Sequence, residues 1–187
     1  MSENKKGGMG EIVNLIVVLG LITLICALLL GFINQVTAPQ IAANQTETRN
    51  LAMAEIIPGA EFTDLATTVD GDVPITGVYE AVANGETVGY CVEVTPSGFG
   101  GALTMIVGIN ADGTVAGAKV NSHAETPGLG AKAQSDWINQ FAGAAADGSL
   151  AVTKDGGSIT PITGATITSR AVAAGVNTAA NYVASLG

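Results

Sequence analysis

The stretch that decides the fold is residues 78–120, VYEAVANGETVGYCVEVTPSGFGGALTMIVGINADGTVAGAKV. Short apolar runs alternate here with Gly-, Asn- and Asp-containing turn signals, the pattern of β-strands joined by tight connections. Asn84-Gly85 and Asp112-Gly113 tolerate the positive φ that two-residue hairpin turns need. Gly98-Phe99-Gly100-Gly101 indicates a further tight turn between strands. The stretch therefore predicts an antiparallel sheet.

Helical patterns follow these strands. Residues 133–141 (AQSDWINQF) predict one helix, and residues 167–185 (ITSRAVAAGVNTAANYVAS) predict a second, terminal helix. In the terminal segment, apolar residues recur at i, i+4, i+7 and i+11 and define one buried face. This face consists of Val172, Val176, Ala179 and Val183. Strands with flanking helices place the chain in the α+β class.

An apolar run without acidic or basic residues, IVNLIVVLGLITLICALLLGFI, extends from Ile12 to Ile33. As a helix it would measure about 33 Å at about 1.5 Å per residue, which is enough to cross a bilayer once. The run is longer than the apolar core of a cleaved signal peptide, about 7–15 residues, and lacks a good small-residue cleavage site. We therefore predict a retained transmembrane helix at residues 12–34.

The basic residues around this helix predict its orientation. Lys5 and Lys6 precede it, and no basic residue follows before Arg49. The positive-inside rule then places the tail, residues 1–11, in the cytoplasm and the main part of the chain outside.

The segment between the membrane helix and the strands predicts a helical stalk, residues 35–59. Pro39 suits the first turn of a helix that continues to Ile57 and is ended by Pro58-Gly59. The remaining residues, 60–187, suffice for one extracytoplasmic domain with a single core.

Composition excludes several classes of function. Beyond the apolar run there are five basic against fourteen acidic residues, so nucleic acid is not an expected partner. Cys26 lies in the apolar run and Cys91 in a strand pattern, which predicts no disulfide. His123 is the one histidine of the chain and no Cys-x-x-Cys spacing occurs, so no metal site is predicted. Any redox chemistry must therefore come from an organic cofactor.

The turn Thr163-Gly164-Ala165-Thr166 lies immediately before the terminal helix. Its small residues leave the backbone open to an anion, and the unpaired amides and positive end of a helix favour phosphate. Arg170, one turn further on, suits a charge-assisted contact to such a group. Taken alone, Thr residues before a helix are more often caps.

Two stretches carry a family resemblance. TGATITSRAV, residues 163–172, resembles the flavinylation motif of the FMN-binding domain family, in which the last Thr of (Ser/Thr)-Gly-Ala-Thr is esterified by the phosphate of FMN. SHAETPGLGAKAQSDWINQF, residues 122–141, is similar to the second signature of that family. From the anchor onward the chain resembles the G subunits of Rnf-type ion-translocating ferredoxin:NAD oxidoreductase complexes, which are related to the C subunits of sodium-translocating NADH:quinone reductases.

The resemblance implies one FMN-binding domain with covalent FMN on Thr166, and no catalytic residue or metal in this chain itself. It implies electron transfer between other members of the complex, with a flavin transferase needed for maturation. The chain departs from the family pattern at Thr160, where an acidic residue is common six positions before the modified Thr. The implied cofactor-binding residues are His123, Glu125, Thr126, Pro127, Gly128, Leu129, Gly130, Trp137, Thr163, Gly164, Ala165, Thr166, Ser169 and Arg170.

Several of these residues have a plainer interpretation. His123 is typical of a surface histidine at a strand end, and Trp137 of a core or interface residue. Residues 125–130 are also typical of a Pro/Gly surface loop. Two alternative functions stay open: a free-standing, membrane-anchored extracytoplasmic flavin shuttle, and an anchored receptor that binds an anion without redox activity.

Overall fold

A computed structural model describes residues 8–65 and 67–186. The chain divides into two compact units between Glu47 and Thr48. The described residues of the first unit, 8–47, are helical, and the second unit contains the sheet, the terminal helix and the last turns of the first helix.

The first helix, α1, extends over Gly8–Ile56 and contains Pro39 in its interior. The predicted start of a separate helix at Pro39 is therefore wrong. A proline inside a helix removes one backbone hydrogen bond and crowds the carbonyl four residues before it, at a cost of about 3 kcal/mol, yet the 49-residue α1 continues through this position. The apolar side chains between Ile12 and Ile33 are exposed, and α1 is long and apolar enough to cross a membrane. Thr23, a polar interruption of this run, donates its hydroxyl to the Gly20 carbonyl at 3.0 Å.

Five antiparallel strands form one meander in the order β1-β2-β3-β4-β5. They are β1 (Glu61–Asp64), β2 (Ile75–Ala83), β3 (Glu86–Val94), β4 (Thr104–Asn110) and β5 (Val115–Ser122). The β2–β3 hairpin turns at Asn84 and Gly85, which have φ of 54° and 83°, as predicted. At the β4–β5 turn, Asp112 accepts the backbone amide of Thr114 at 3.0 Å. The predicted antiparallel sheet is confirmed, while β1 is an additional strand.

One face of the sheet packs against the C-terminal half of the domain. The second long helix, α2, extends over Thr166–Ala184. Its predicted face is buried at Val172, Val176 and Ala179 and half-buried at Val183. The predicted helix at 133–141 consists instead of two short 3₁₀-helices, Gly130–Gln134 and Asp136–Phe141. A third 3₁₀-helix occupies Thr153–Asp155.

The other face of the sheet forms a smaller core with the end of α1. Ala52, Met53 and Ile57 are buried there together with Cys91. Burial raises the pKa of the Cys91 thiol to about 12, so this thiol is protonated at neutral pH. Residues that the sequence assigned to a stalk therefore complete the folded domain, because the sheet has two apolar faces to cover.

Gly175 sets the distance between α2 and the sheet. A Cβ built there would lie 2.9 Å from Sδ of Met105, 3.2 Å from Pro96 and 3.3 Å from Val94. The missing side chain lets the helix approach strands β3 and β4 closely, which positions the start of α2 relative to the sheet.

Replacing Gly175 by Val should therefore overpack this interface. We expect the free energy of unfolding to fall by about 1–3 kcal/mol, measured by urea denaturation of the full chain in detergent micelles. Ala174→Val adds a branched side chain at the neighbouring half-exposed position and is the matched control. Equal losses for both variants would contradict close packing at Gly175.

Candidate functional site

The turn before α2 has a backbone shape that its own residues enforce. Gly164 has φ of 79°, a conformation that favours glycine. The buried Ser169 hydroxyl accepts the Ile162 amide at 2.9 Å and donates to the Ala165 carbonyl at 2.9 Å. Ser169 therefore supports the turn from within the helix, and Thr163 lies exposed on the outside.

Helix α2 begins without a side-chain cap. The cap position is Ala165, which has no side-chain oxygen to accept the first helical amides. Those amides have no acceptor within an α-helix, and the positive end of the helix dipole lies with them. This open start, rather than a threonine cap, is the arrangement that suits an anion.

Lys154 reaches this start from the third 3₁₀-helix. Its Nζ donates a hydrogen bond to Oγ1 of Thr166 at 2.9 Å. Sequence reasoning missed Lys154, because it lies outside the motif on a different segment and no local pattern points to it. The cation beside Thr166 is therefore a lysine from the third 3₁₀-helix, twelve positions earlier in the chain.

Arg170, predicted to contact a phosphate, is engaged elsewhere. Its Nε and Nη2 donate to the two carboxylate oxygens of Asp155 at 2.7 and 2.6 Å. These bonds hold the pKa of Asp155 below its usual value and raise the pKa of Arg170. The pair connects the 3₁₀-helix that carries Lys154 to the first turns of α2.

A cavity of about 420 Å³ opens at Thr166. This volume lies in the range of about 300–1,000 Å³ that is usual for cofactor sites. It is lined by Phe99, Glu125, Thr126, Leu129, Gly130, Lys154, Gly164, Ala165, Thr166, Ile167 and Thr168. Phe99, Leu129 and Ile167 are large apolar side chains that are 71%, 44% and 52% exposed. A concave site with several exposed apolar residues and a few polar groups is typical of a binding site for a planar organic cofactor.

A buried carboxylate, Glu125, joins the parts of this cavity. Its Oε1 accepts the Gly100 amide at 3.0 Å, and its Oε2 accepts the Thr168 hydroxyl at 2.8 Å. A Cβ at Gly130 would lie 2.2 Å from Oε2, and one at Gly98 would lie 2.1 Å from Oε1. The glycines therefore leave room for the carboxylate, which connects the turn at 98–101 to α2.

The structure brings half of the predicted residues to the cavity. Those that line it are Glu125, Thr126, Leu129, Gly130, Gly164, Ala165 and Thr166. Phe99, Lys154, Ile167 and Thr168 also line it and were not predicted. Phe99 and Lys154 come from segments that sequence spacing does not connect with the motif. The hydroxyl of Thr168 was overlooked within the motif itself.

The other predicted residues lie outside the lining. They are His123, Pro127, Gly128, Trp137, Thr163, Ser169 and Arg170. Trp137 donates Nε1–H to the Thr160 carbonyl at 2.7 Å and meets the Phe141 ring edge-on, so it has a packing role here. His123 accepts the Glu125 amide on Nδ1 at 3.2 Å. Neither residue belongs to the lining of the cavity.

Fold and cavity together define a cofactor-binding α+β domain that follows an apolar helix of membrane-spanning length. Residues 98–181 match the FMN-binding domain family, and residues 16–56 match the RnfG N-terminal region. The chain belongs to the family of G subunits of Rnf-type ion-translocating oxidoreductase complexes, as its relatives show.

Two relatives illustrate the extent of the likeness. The G subunit of the ion-translocating oxidoreductase complex of Cereibacter sphaeroides is 38% identical over 166 residues, which cover 82% of this chain and 76% of the relative. The G subunit of the Na⁺-translocating ferredoxin:NAD⁺ oxidoreductase complex of Acetobacterium woodii is 38% identical over 177 residues, 86% of each chain. The likeness therefore spans both the apolar helix and the cofactor-binding domain.

Removing the Glu125 carboxylate should destabilise the domain. Glu125→Ala leaves the Gly100 amide and the buried Thr168 hydroxyl without their acceptor, so we expect unfolding free energy to fall by about 1–3 kcal/mol. Glu125→Gln should cost less, because an amide still accepts from Gly100 and the Thr168 hydroxyl can turn to accept from it. Urea denaturation measures both.

Glu86→Ala, at an exposed position of β3, is the control for the loss of a carboxylate. It should change stability by no more than about 0.5 kcal/mol. An equally small effect of Glu125→Ala would contradict the connecting role of the buried carboxylate.

Proposed function

We propose that this chain is the electron-carrying flavoprotein of a membrane-bound Rnf-type ion-translocating ferredoxin:NAD oxidoreductase complex, with FMN attached through a phosphoester to Thr166. Its membership of the G-subunit family and its FMN-binding domain support the redox role. The observation that carries the attachment is the position of Thr166. Its half-buried hydroxyl lies in the cavity, at the uncapped start of α2 and 2.9 Å from Lys154.

Neighbouring threonines lack this combination. Thr163 is exposed and does not line the cavity, while Thr168 is fully buried and donates to Glu125. A modifying enzyme needs a hydroxyl that it can reach, and an attached phosphate needs donors around it. Thr166 meets both requirements.

The remaining lining suits the flavin ring. Phe99, Leu129 and Ile167 offer apolar surface, and Thr126 with nearby backbone amides offers hydrogen bonds to the polar edge of the ring. When bound, FMN supplies the electron-transfer chemistry, while the protein orients it and sets its surroundings. A covalent link keeps the flavin at a high effective concentration outside the cytoplasm.

We further propose that α1 crosses the membrane once, with its N-terminus in the cytoplasm and the flavin domain on the extracytoplasmic side. The apolar run contains no acidic or basic residue, so it offers no path for an ion. Ion transport then belongs to the other proteins of the Rnf-type complex, with which this chain exchanges electrons. It is not catalytic alone.

Mutation of Thr166 tests the attachment. The full chain is co-expressed with a flavin transferase and analysed by intact mass and by flavin fluorescence after denaturing electrophoresis. We expect wild type and Thr166→Ser to carry an FMN-sized mass increment, because both offer a hydroxyl, and Thr166→Ala to carry none. Thr153→Ala, at an exposed threonine outside the motif and the cavity lining, should retain the increment and controls for the loss of a threonine hydroxyl.

Absence of flavin from the wild-type chain would overturn the attachment and favour a receptor that binds an anion without redox activity. An FMN-sized increment on Thr166→Ala would show that the flavin is attached to a residue other than Thr166. In cells that also express the other proteins of the complex, purification of the flavin-carrying chain without any of them would favour a free-standing electron shuttle.

A reporter fusion tests the orientation. Alkaline phosphatase joined after Gly187 should be active in cells, because its disulfides form outside the cytoplasm and the lysines before the helix retain the N-terminus inside. The reciprocal fusion carries, at the same position, a fluorescent protein that becomes fluorescent only when it folds in the cytoplasm. An inactive phosphatase fusion together with a fluorescent reciprocal fusion would contradict the proposed orientation and place the flavin domain in the cytoplasm.

A further inference from the structure

We propose that Lys154 is a further residue of the attachment site: its ammonium group holds the Thr166 hydroxyl for phosphoryl transfer and neutralises the phosphoester that results. This inference rests on the proposed function. It names the charge partner of the same site, a residue that lies twelve positions before Thr166 and outside the motif.

The hydrogen bond between the two side chains has a fixed direction. A lysine ammonium has three donors and no acceptor, so Lys154 donates and Oγ1 of Thr166 accepts at 2.9 Å. The hydroxyl proton and a second lone pair of Oγ1 are not used by this bond. Lys154 therefore orients the oxygen while leaving it able to attack.

The loop that carries Lys154 is braced. Its neighbour Asp155 forms the two-bond pair with Arg170 in α2. Behind it, Val152 forms a parallel bridge with Ile159 and is buried. The ammonium group is therefore delivered from a segment that is fixed to the same helix that carries Thr166, which limits the entropy lost when the contact forms.

Charge balance points to the same residue. Lys154 is the one basic residue among those that line the cavity, which also contains the Glu125 carboxylate. Arg170 is paired with Asp155, and the chain has a net charge of −9. A phosphodiester adds one more negative charge beside Thr166. Among the cavity-lining groups, Lys154 and the uncapped amides at the start of α2 can stabilise this charge. Without Lys154, the amides alone would remain.

The group transfer needs an activated donor, because an ester does not form readily from free FMN in water. With a flavin dinucleotide as donor, the Thr166 oxygen forms a bond to the phosphorus of the FMN half. The phosphoanhydride bond breaks, and the nucleoside monophosphate leaves with the electron pair. The hydroxyl proton passes to a base of the transferase or to water. No oxidation or reduction occurs in this step.

The rate of flavin attachment tests the role of Lys154. Purified full-length chain in detergent is incubated with a flavin transferase and saturating flavin dinucleotide, and intact mass gives initial rates at several chain concentrations. We expect Lys154→Gln to lower kcat by about 10- to 100-fold, the loss of one charge-assisted bond to the reacting group, with little change in KM. Lys154→Arg should restore most of the rate.

Lys132→Gln is the matched control, since Lys132 is exposed and does not line the cavity. It should react at the wild-type rate. A wild-type kcat for Lys154→Gln, or a change confined to KM, would overturn the role of Lys154 while leaving attachment at Thr166 intact. Failure of the wild-type chain to react would overturn the proposed function itself, and this inference with it.

Discussion

The rest of the site depends on the two hydrogen bonds that the buried Glu125 carboxylate accepts. Removing a carboxylate from water is costly unless its oxygens receive hydrogen bonds. Here each oxygen receives one, from the Gly100 amide and from the Thr168 hydroxyl. Because the two donors belong to the turn between β3 and β4 and to the first turn of α2, satisfying the carboxylate fixes both walls of the cavity at once. Glycines at 98 and 130 are the condition for this, since a Cβ at either would occupy the same space.

The sheet and the two long helices provide the frame for this local network. One face carries α2, which approaches the sheet closely at Gly175. Through Glu125, the first turn of α2 is connected to the 98–101 turn, which joins β3 and β4. The opposite face is covered by the last turns of α1 through Ala52 and Met53. The domain core therefore includes residues that precede the strands in the sequence as well as residues that follow them. This explains why the domain begins before β1, at Thr48.

The sequence predicts the parts of this structure that depend on local chemistry. Asn84-Gly85 specifies a hairpin through its positive φ, and the spacing of Val172, Val176 and Ala179 specifies a helix with one buried face. It does not predict β1, four residues of which most are exposed, or the continuity of α1 through Pro39. In both places tertiary packing or helix length outweighs the local preference. In the cavity, the motif residues were identifiable, whereas Phe99 and Lys154 arrive through contacts between segments that no periodicity connects.

Burial separates the hydroxyl groups that stabilise the fold from the one that faces the cavity. These hydroxyls belong to the motif Thr163-Gly164-Ala165-Thr166 and to the residues after it. Ser169 and Thr168 are fully buried and bind the turn and Glu125, so their hydroxyls serve the fold. Thr166 is half-buried and faces the cavity. Arg170 lies one turn after Thr166, and residues four apart share a helix face. A charge contact between Arg170 and a phosphate is thus the natural expectation from sequence, yet its guanidinium binds Asp155. Because Asp155 is adjacent to Lys154, the ion pair holds the segment that places the Lys154 ammonium group beside Thr166. Arg170 therefore acts on the site indirectly, by positioning this lysine.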